Sequence, residues 1–216
     1  ELNTRTLDLA GNLSAHTTAS FVWDSSTPTI VMQQPNAAYE PSPLSILSGT
    51  AIDPGPNGLR ADLSTVQVSI QIDPPTGNYW KGVSFGPGET WLGVTSGLTS
   101  WSTISTPTWV SGNVYRVRAR ATDSADNVSV DIGDQQFTFD SNNPTTAITL
   151  PATDTSQNAL TMVSGTANDN TDLDAVLVRI YNVPQQRYFN NATGVFDPDL
   201  GAEPAWFISS AVTANW

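Results

Sequence analysis

Aspartate is the residue type best placed to do chemistry in this sequence, and it recurs at equivalent points. Asp8, Asp24 and Asp53 fall around one junction of the chain, and Asp123, Asp126, Asp140 and Asp169, with Asn168 beside the last, fall around another. Three carboxylates gathered in one place repel one another unless a cation neutralises them. Ca²⁺ takes about six to eight oxygen ligands from loops of this kind. The expected chemistry is therefore divalent-cation binding at domain junctions. The same residues also suit Asx turns and strand-end hydrogen bonds, which need no metal.

Aromatic residues form the second group: Tyr79, Trp80, Trp91, Trp101 and Trp109. Indole faces present apolar area to the axial hydrogens of a sugar ring while the N–H reaches a polar partner. A carbohydrate-binding module using exposed Trp80, Trp91 and Trp101 is the alternative reading this raises. Packing inside the fold is favoured, because Trp91 and Trp101 recur as Trp206 and Trp216 at unchanged separation. Arg116, Arg118 and Arg120 project from one strand face and are expected to pair with surplus acids rather than bind a ligand.

Catalysis has little to stand on. The sequence has one histidine, His16, and no cysteine, so Ser-His-Asp and Cys-His arrangements lack a base in the complete repeat described below. No glycine-rich phosphate loop or His-based zinc spacing occurs, and the chain is not expected to be an enzyme. Three N-x-[ST] sequons start at Asn12, Asn127 and Asn191. The first two lie inside a repeated motif, where Asn is expected to supply a tight-turn conformation.

The elements that must position these residues are short strands. Fifteen Gly and fifteen Pro break the 216-residue chain into pieces too short for an apolar stripe of helical period. Val66, Val68, Ile70 and Ile72 alternate with Gln67, Ser69 and Gln71, the pattern of a half-buried strand. Tyr115, Val117, Ala119 and Ala121 alternate with the three arginines in the same way. Such strands between turn clusters predict an all-β protein built of β-sandwiches.

Internal repetition supplies the organisation. "FVWDSSTPT" at 21–29 matches "FTFDSNNPT" at 137–145, and "SGTAID" at 48–53 matches "SGTAND" at 164–169, both at an offset of 116. "VQVSI" at 66–70 is echoed by "VLVRI" at 176–180, and Tyr79-Trp80 by Tyr188-Phe189. "TLDLAGNLS" at 6–14 precedes "ATDSADNVS" at 121–129 by 115. The expected layout is one complete repeat over 28–140, the last two strands of a preceding repeat in 1–24, and a following repeat over 144–216 lacking its last strands. Pro28 and Pro144 fix φ after brief linkers, so a stiff rod of domains is expected. Residue 1 is Glu rather than Met, which predicts an internal piece of a longer chain or a processed product.

Charge narrows the partners. Eight Lys and Arg against 20 Asp and Glu give a net charge of −12, so nucleic acid is not an expected partner. No apolar run reaches the length of a membrane span, and no secretory signal is present. The absence of cysteine is permissive for the cell exterior without requiring it.

With "SGTAID", "YRVRARATDSADNVS" and "FTFDSNNPT" in order along the chain, the sequence resembles the bacterial immunoglobulin-like repeats of very large surface proteins and adhesins. The resemblance implies tandem immunoglobulin-like β-sandwich domains in an extracellular or cell-surface stalk, fibre or adhesin. Its partners would be neighbouring repeats of the same or adjacent chains, and Ca²⁺ would sit at domain junctions, as in some repeats of this kind. It leaves the receptor or glycan unnamed. The longer, Trp-rich middle, "NYWKGVSFGPGETWLGVTSGLTSW", departs from a minimal repeat. Strand exchange between chains into a filament is the alternative to a fragment flanked by further repeats, which is favoured.

Overall fold

A computed structural model describes residues 1–55, 63–130, 133–209 and 215–216. The chain divides into two compact units, Glu1–Phe139 and Asp140–Trp216. Unit 1 contains β1 (Leu2–Thr4), β2 (Thr17–Ala19), β3 (Thr29–Gln34), β4 (Tyr39–Glu40), β5 (Leu47–Ile52) and β6 (Leu63–Ile72). It continues with β7 (Tyr79–Trp80), β8 (Phe85–Gly86), β9 (Leu92–Gly93), β10 (Ser100–Thr103), β11 (Val114–Asp123) and β12 (Gly133–Phe139). Unit 2 contains β13 (Thr145–Leu150), β14 (Ser164–Asn168), β15 (Leu177–Val178), β16 (Tyr181–Asn182), β17 (Arg187–Asn190), β18 (Val195–Asp197) and β19 (Phe207–Ile208). The described residues contain no helix, and so none long and apolar enough to cross a membrane.

Unit 1 is sandwich-like. A three-stranded sheet, β10-β5-β3, and a larger one, β4-β12-β11-β6-β7-β8 with β9 on β6, enclose one core. Ile30, Leu47, Ala51 and Trp101 from the first meet Val66, Val68, Ile70, Tyr115, Val117, Ala119, Ala121, Phe137 and Phe139 from the second. β11 follows its alternation along its whole length, burying Tyr115, Val117, Ala119 and Ala121. Its outward arginines are paired: Arg116 with Asp134, Arg118 with Glu89, and Arg120 with the Gln67 side-chain oxygen.

β6 departs from the half-buried pattern. Val66, Val68 and Ile70 are buried as expected, but Ser69 and Gln71 are buried too. The outer face of this half of the strand lies under the following segment, and the Gln71 amide donates to the carbonyls of Pro75 at 2.9 Å and Gly77 at 3.1 Å. Periodicity reports one face of a strand and is silent about a loop that folds back over the other.

Aromatic rings cluster in the core. Trp109 meets Tyr115 edge-on at 4.8 Å, and Tyr115 stacks on Phe137 at 5.7 Å. The Tyr115 hydroxyl accepts the Val110 N–H at 2.9 Å, tying the start of β11 to the turn before it. Replacing Tyr115 by Phe removes one hydrogen bond and keeps the ring. The expected cost is about 1 kcal/mol, read as a lower urea midpoint with unchanged slope.

Among the described residues the strands β1 and β2 pair only with each other, and both are exposed throughout. In unit 2, β13 pairs β14, β15 pairs β19, and β16, β17 and β18 form a meander.

Candidate metal centre

The structure brings together Asp24, Asp53 and Asp123. One carboxylate oxygen from each lies within 4.8 Å of the others. Asp24 comes from the segment entering β3, Asp53 from the turn leaving β5, and Asp123 from the end of β11. Asp53 is 2% exposed and Asp123 is fully buried.

Each carboxylate is oriented by backbone N–H groups two or four residues further on. Asp123 Oδ1 accepts from Ala125 and Asn127, both at 2.8 Å. Asp24 Oδ1 accepts from Ser26 N–H at 2.9 Å, and Asp53 Oδ1 from Gly55 at 3.2 Å. These are Asx turns, so the metal-free alternative is realised for one oxygen of each group. It leaves two oxygens over. Asp24 Oδ2 and Asp53 Oδ2 are buried and have no donor among the described residues. A buried anionic oxygen without a donor costs several kcal/mol unless a cation meets it.

Electrostatics points the same way. Burial pushes the Asp53 carboxyl above its usual range against the Gly55 N–H, and the negative charges of Asp123 and Asp24 push in the same direction. The three groups offer oxygen only, with no thiolate or imidazole. Such a donor set fits a hard cation, Ca²⁺ or Mg²⁺, and not zinc.

The grouping corrects the one expected from sequence. Asp8 was set with Asp24 and Asp53, and Asp123 with Asp140 and Asp169; in the structure Asp123 joins Asp24 and Asp53, all within unit 1. The antiparallel pairing of β6 with β11 carries Asp123 to the same end of the sandwich as the β5 exit. Asp126 is exposed at φ 68° and takes no part, serving as the left-handed residue of its turn. Asn127, expected to supply that conformation, instead braces the site. Its amide donates to Asp123 Oδ2 at 2.9 Å and to the Asp24 carbonyl at 3.2 Å.

Asp8 sits in an exposed copy of the Asp123 loop. Its Oδ1 accepts from Ala10 at 2.9 Å and Asn12 at 2.8 Å, and its Oδ2 from the Asn12 amide at 2.8 Å. Those contacts, the Asn12 amide first, hold its carboxyl below the usual range. In unit 2, the Thr171 hydroxyl lies within hydrogen-bond distance of both the Asp140 and the Asp169 carboxylates, with one proton to share between them. Asp169 Oδ1 is buried without a donor among the described residues. Sequence reasoning missed Ser26, Gly55 and Thr171, although each stands two residues after an Asp, the spacing of an Asx turn.

The tryptophans do not form one exposed platform. Trp101 is 1% exposed and lies against Gly49 on β5, so it has no face to offer a sugar. Trp80 is half-buried against Phe85 at 5.4 Å, and the guanidinium of Arg120 covers Trp91 at 4.3 Å. Each indole is occupied by a packing partner within the fold.

Fold and site together define an all-β, sandwich-like protein with a buried acidic trio at one end of its first unit. No protein-family model matches the chain, and no curated protein matches it.

Proposed function

We propose that this chain is a segment of tandem immunoglobulin-like repeats from an extracellular stalk, fibre or adhesin on a bacterial surface, with Ca²⁺ bound by Asp24, Asp53 and Asp123. Its role is mechanical and not catalytic. The observation that carries the reading is one local architecture recurring at a fixed spacing. Trp101 lies on Gly49 as Trp216 lies on Gly165, and Ser100 faces Thr50 as Asn215 faces Thr166. The Asp8 and Asp123 loops share their hydrogen bonds in the same way. Repetition of this kind suits a chain copied in tandem for length.

Two further features support it. A tyrosine at the start of a strand whose hydroxyl reaches back to the preceding backbone, as Tyr115 does, is a hallmark of immunoglobulin-type sandwiches. Long-range pairing of β6 with β11 ties the middle of unit 1 to its end, so full extension must separate strands that are distant in sequence. When bound, the cation would cross-link the entry segment, the β5 exit and the β11 end, which otherwise repel one another.

Single-molecule pulling tests the mechanical claim. Unit 1 should open in one step releasing on the order of 40 nm, at about 3.5 Å per residue over 28–140, and at higher force in Ca²⁺ than in chelator. Gradual opening without a discrete step would rule out a mechanical repeat.

A further inference from the structure

The Asn127 side chain touches two members of the acidic trio. Its amide nitrogen carries two hydrogens. One goes to Asp123 Oδ2 at 2.9 Å and the other to the Asp24 carbonyl at 3.2 Å, so a single planar group joins chain positions 103 residues apart.

The two ligands differ in how the fold holds them. Asp123 ends β11 and is anchored by the ladder to β6. Asp24 lies in residues 20–28, which belong to no strand, and its carboxylate is turned by Ser26 of the same segment. The bond from Asn127 is what fastens this residue to the β11 loop.

The loop that presents Asn127 is built from its own residues. Asp123 N–H donates to the Asn127 carbonyl at 3.1 Å, Asp126 turns the chain at φ 68°, and Ser129 pairs with Ala121 through both its hydroxyl and its N–H. The exposed loop at Asp8 repeats these contacts, with Gly11 in the left-handed place and the Asn12 amide on Asp8 Oδ2 at 2.8 Å. A loop that takes this form while exposed needs no cation to set it. Asn127 therefore stands in place before an ion arrives, with its second hydrogen on Asp24.

We propose that Asn127 is a positioning residue for the cation site: it orients Asp123 and holds Asp24 beside it, so that the ion meets three carboxylates already gathered. This rests on the cation reading of Asp24, Asp53 and Asp123. Without the bridge, repulsion among the carboxylates carries Asp24 outward, because its segment has no strand pairing to resist it. Binding must then bring it back, and affinity falls.

Calorimetric titration of the full chain with Ca²⁺ compares the parent with Asn127→Ala. The dissociation constant should rise about 10–100-fold, the usual scale for losing a group that orients metal ligands. Ser129→Ala removes a hydrogen bond from the same loop without touching a carboxylate. It should lower the melting temperature in chelator, as any structural loss does, and leave the dissociation constant at the parent value. The parent in chelator gives a second reading that needs no variant and decides the matter where Asn127→Ala does not fold: both side-chain amide protons of Asn127 should exchange slowly with solvent by NMR.

A dissociation constant for Asn127→Ala equal to the parent's overturns the proposal, as does an equal rise in Ser129→Ala. Fast exchange of either Asn127 amide proton in chelator overturns it as well. Failure of the cation reading looks different, because the parent itself then gives no heat at millimolar Ca²⁺, and the role of Asn127 falls with it.

Discussion

Replacing Trp101 by alanine is expected to destabilise unit 1 by about 3–5 kcal/mol, the range for deleting a large buried aromatic. Trp101 is 1% exposed on the edge strand β10, and its indole crosses to lie on the backbone of Gly49. Single domains are stable by only about 5–15 kcal/mol, so much of the margin would go. The contact is reciprocal. A Cβ on Gly49 would collide with both the Val31 carbonyl and the Trp101 ring, so Gly49→Ala should be damaging although it adds a single methyl group. Denaturant unfolding followed by far-UV circular dichroism reads both variants. Trp91→Ala, at a half-buried site under Arg120, is the contrast and should cost far less. Equal losses at Trp91 and Trp101 would contradict this account of the core.

Adding Ca²⁺ at about a hundred times its dissociation constant should stabilise unit 1 by about 2.7 kcal/mol. For a domain of this size that moves the melting temperature by on the order of 10 °C. Chelation should reverse the shift. Asp53→Asn should abolish the response while leaving the cation-free protein at least as stable as the parent. The variant removes one of three mutually repelling charges and keeps an oxygen to accept the Gly55 N–H. Scanning calorimetry with and without chelator distinguishes the outcomes. A melting temperature that does not change at millimolar Ca²⁺ would exclude the ion from the site. Mg²⁺ should act more weakly if the trio suits the larger cation, which tolerates irregular oxygen cages.

Both predictions use residues that were legible in the sequence for only one of their properties. Trp101 and the glycine of "SGTA" each recurred, yet nothing in their spacing said that they touch. They lie more than fifty residues apart and meet because β10 pairs with β5, with Trp101 opposite Gly49. The recurrence in unit 2 of Trp216 on Gly165 is the same contact seen twice. Exposure was likewise invisible: Trp91 and Trp101 look alike in sequence, but one lies under arginines on the outer face and the other faces the core.

The all-β class, the repeat offset and the inward faces of β11 and the first half of β6 were determined by the sequence alone. Side-chain alternation follows from local backbone sterics, and a repeat is visible by comparison of the chain with itself. The choice of Asp24, Asp53 and Asp123 as the trio was decided only by tertiary structure. Local chemistry marks each as an Asx-turn acceptor, and repetition pairs Asp24 with Asp140, Asp53 with Asp169 and Asp123 with Asp8. Neither says at which end of a sandwich a loop emerges. That depends on strand direction and order, set by pairing between segments distant in sequence, and it places Asp123 beside two residues seventy and more positions earlier.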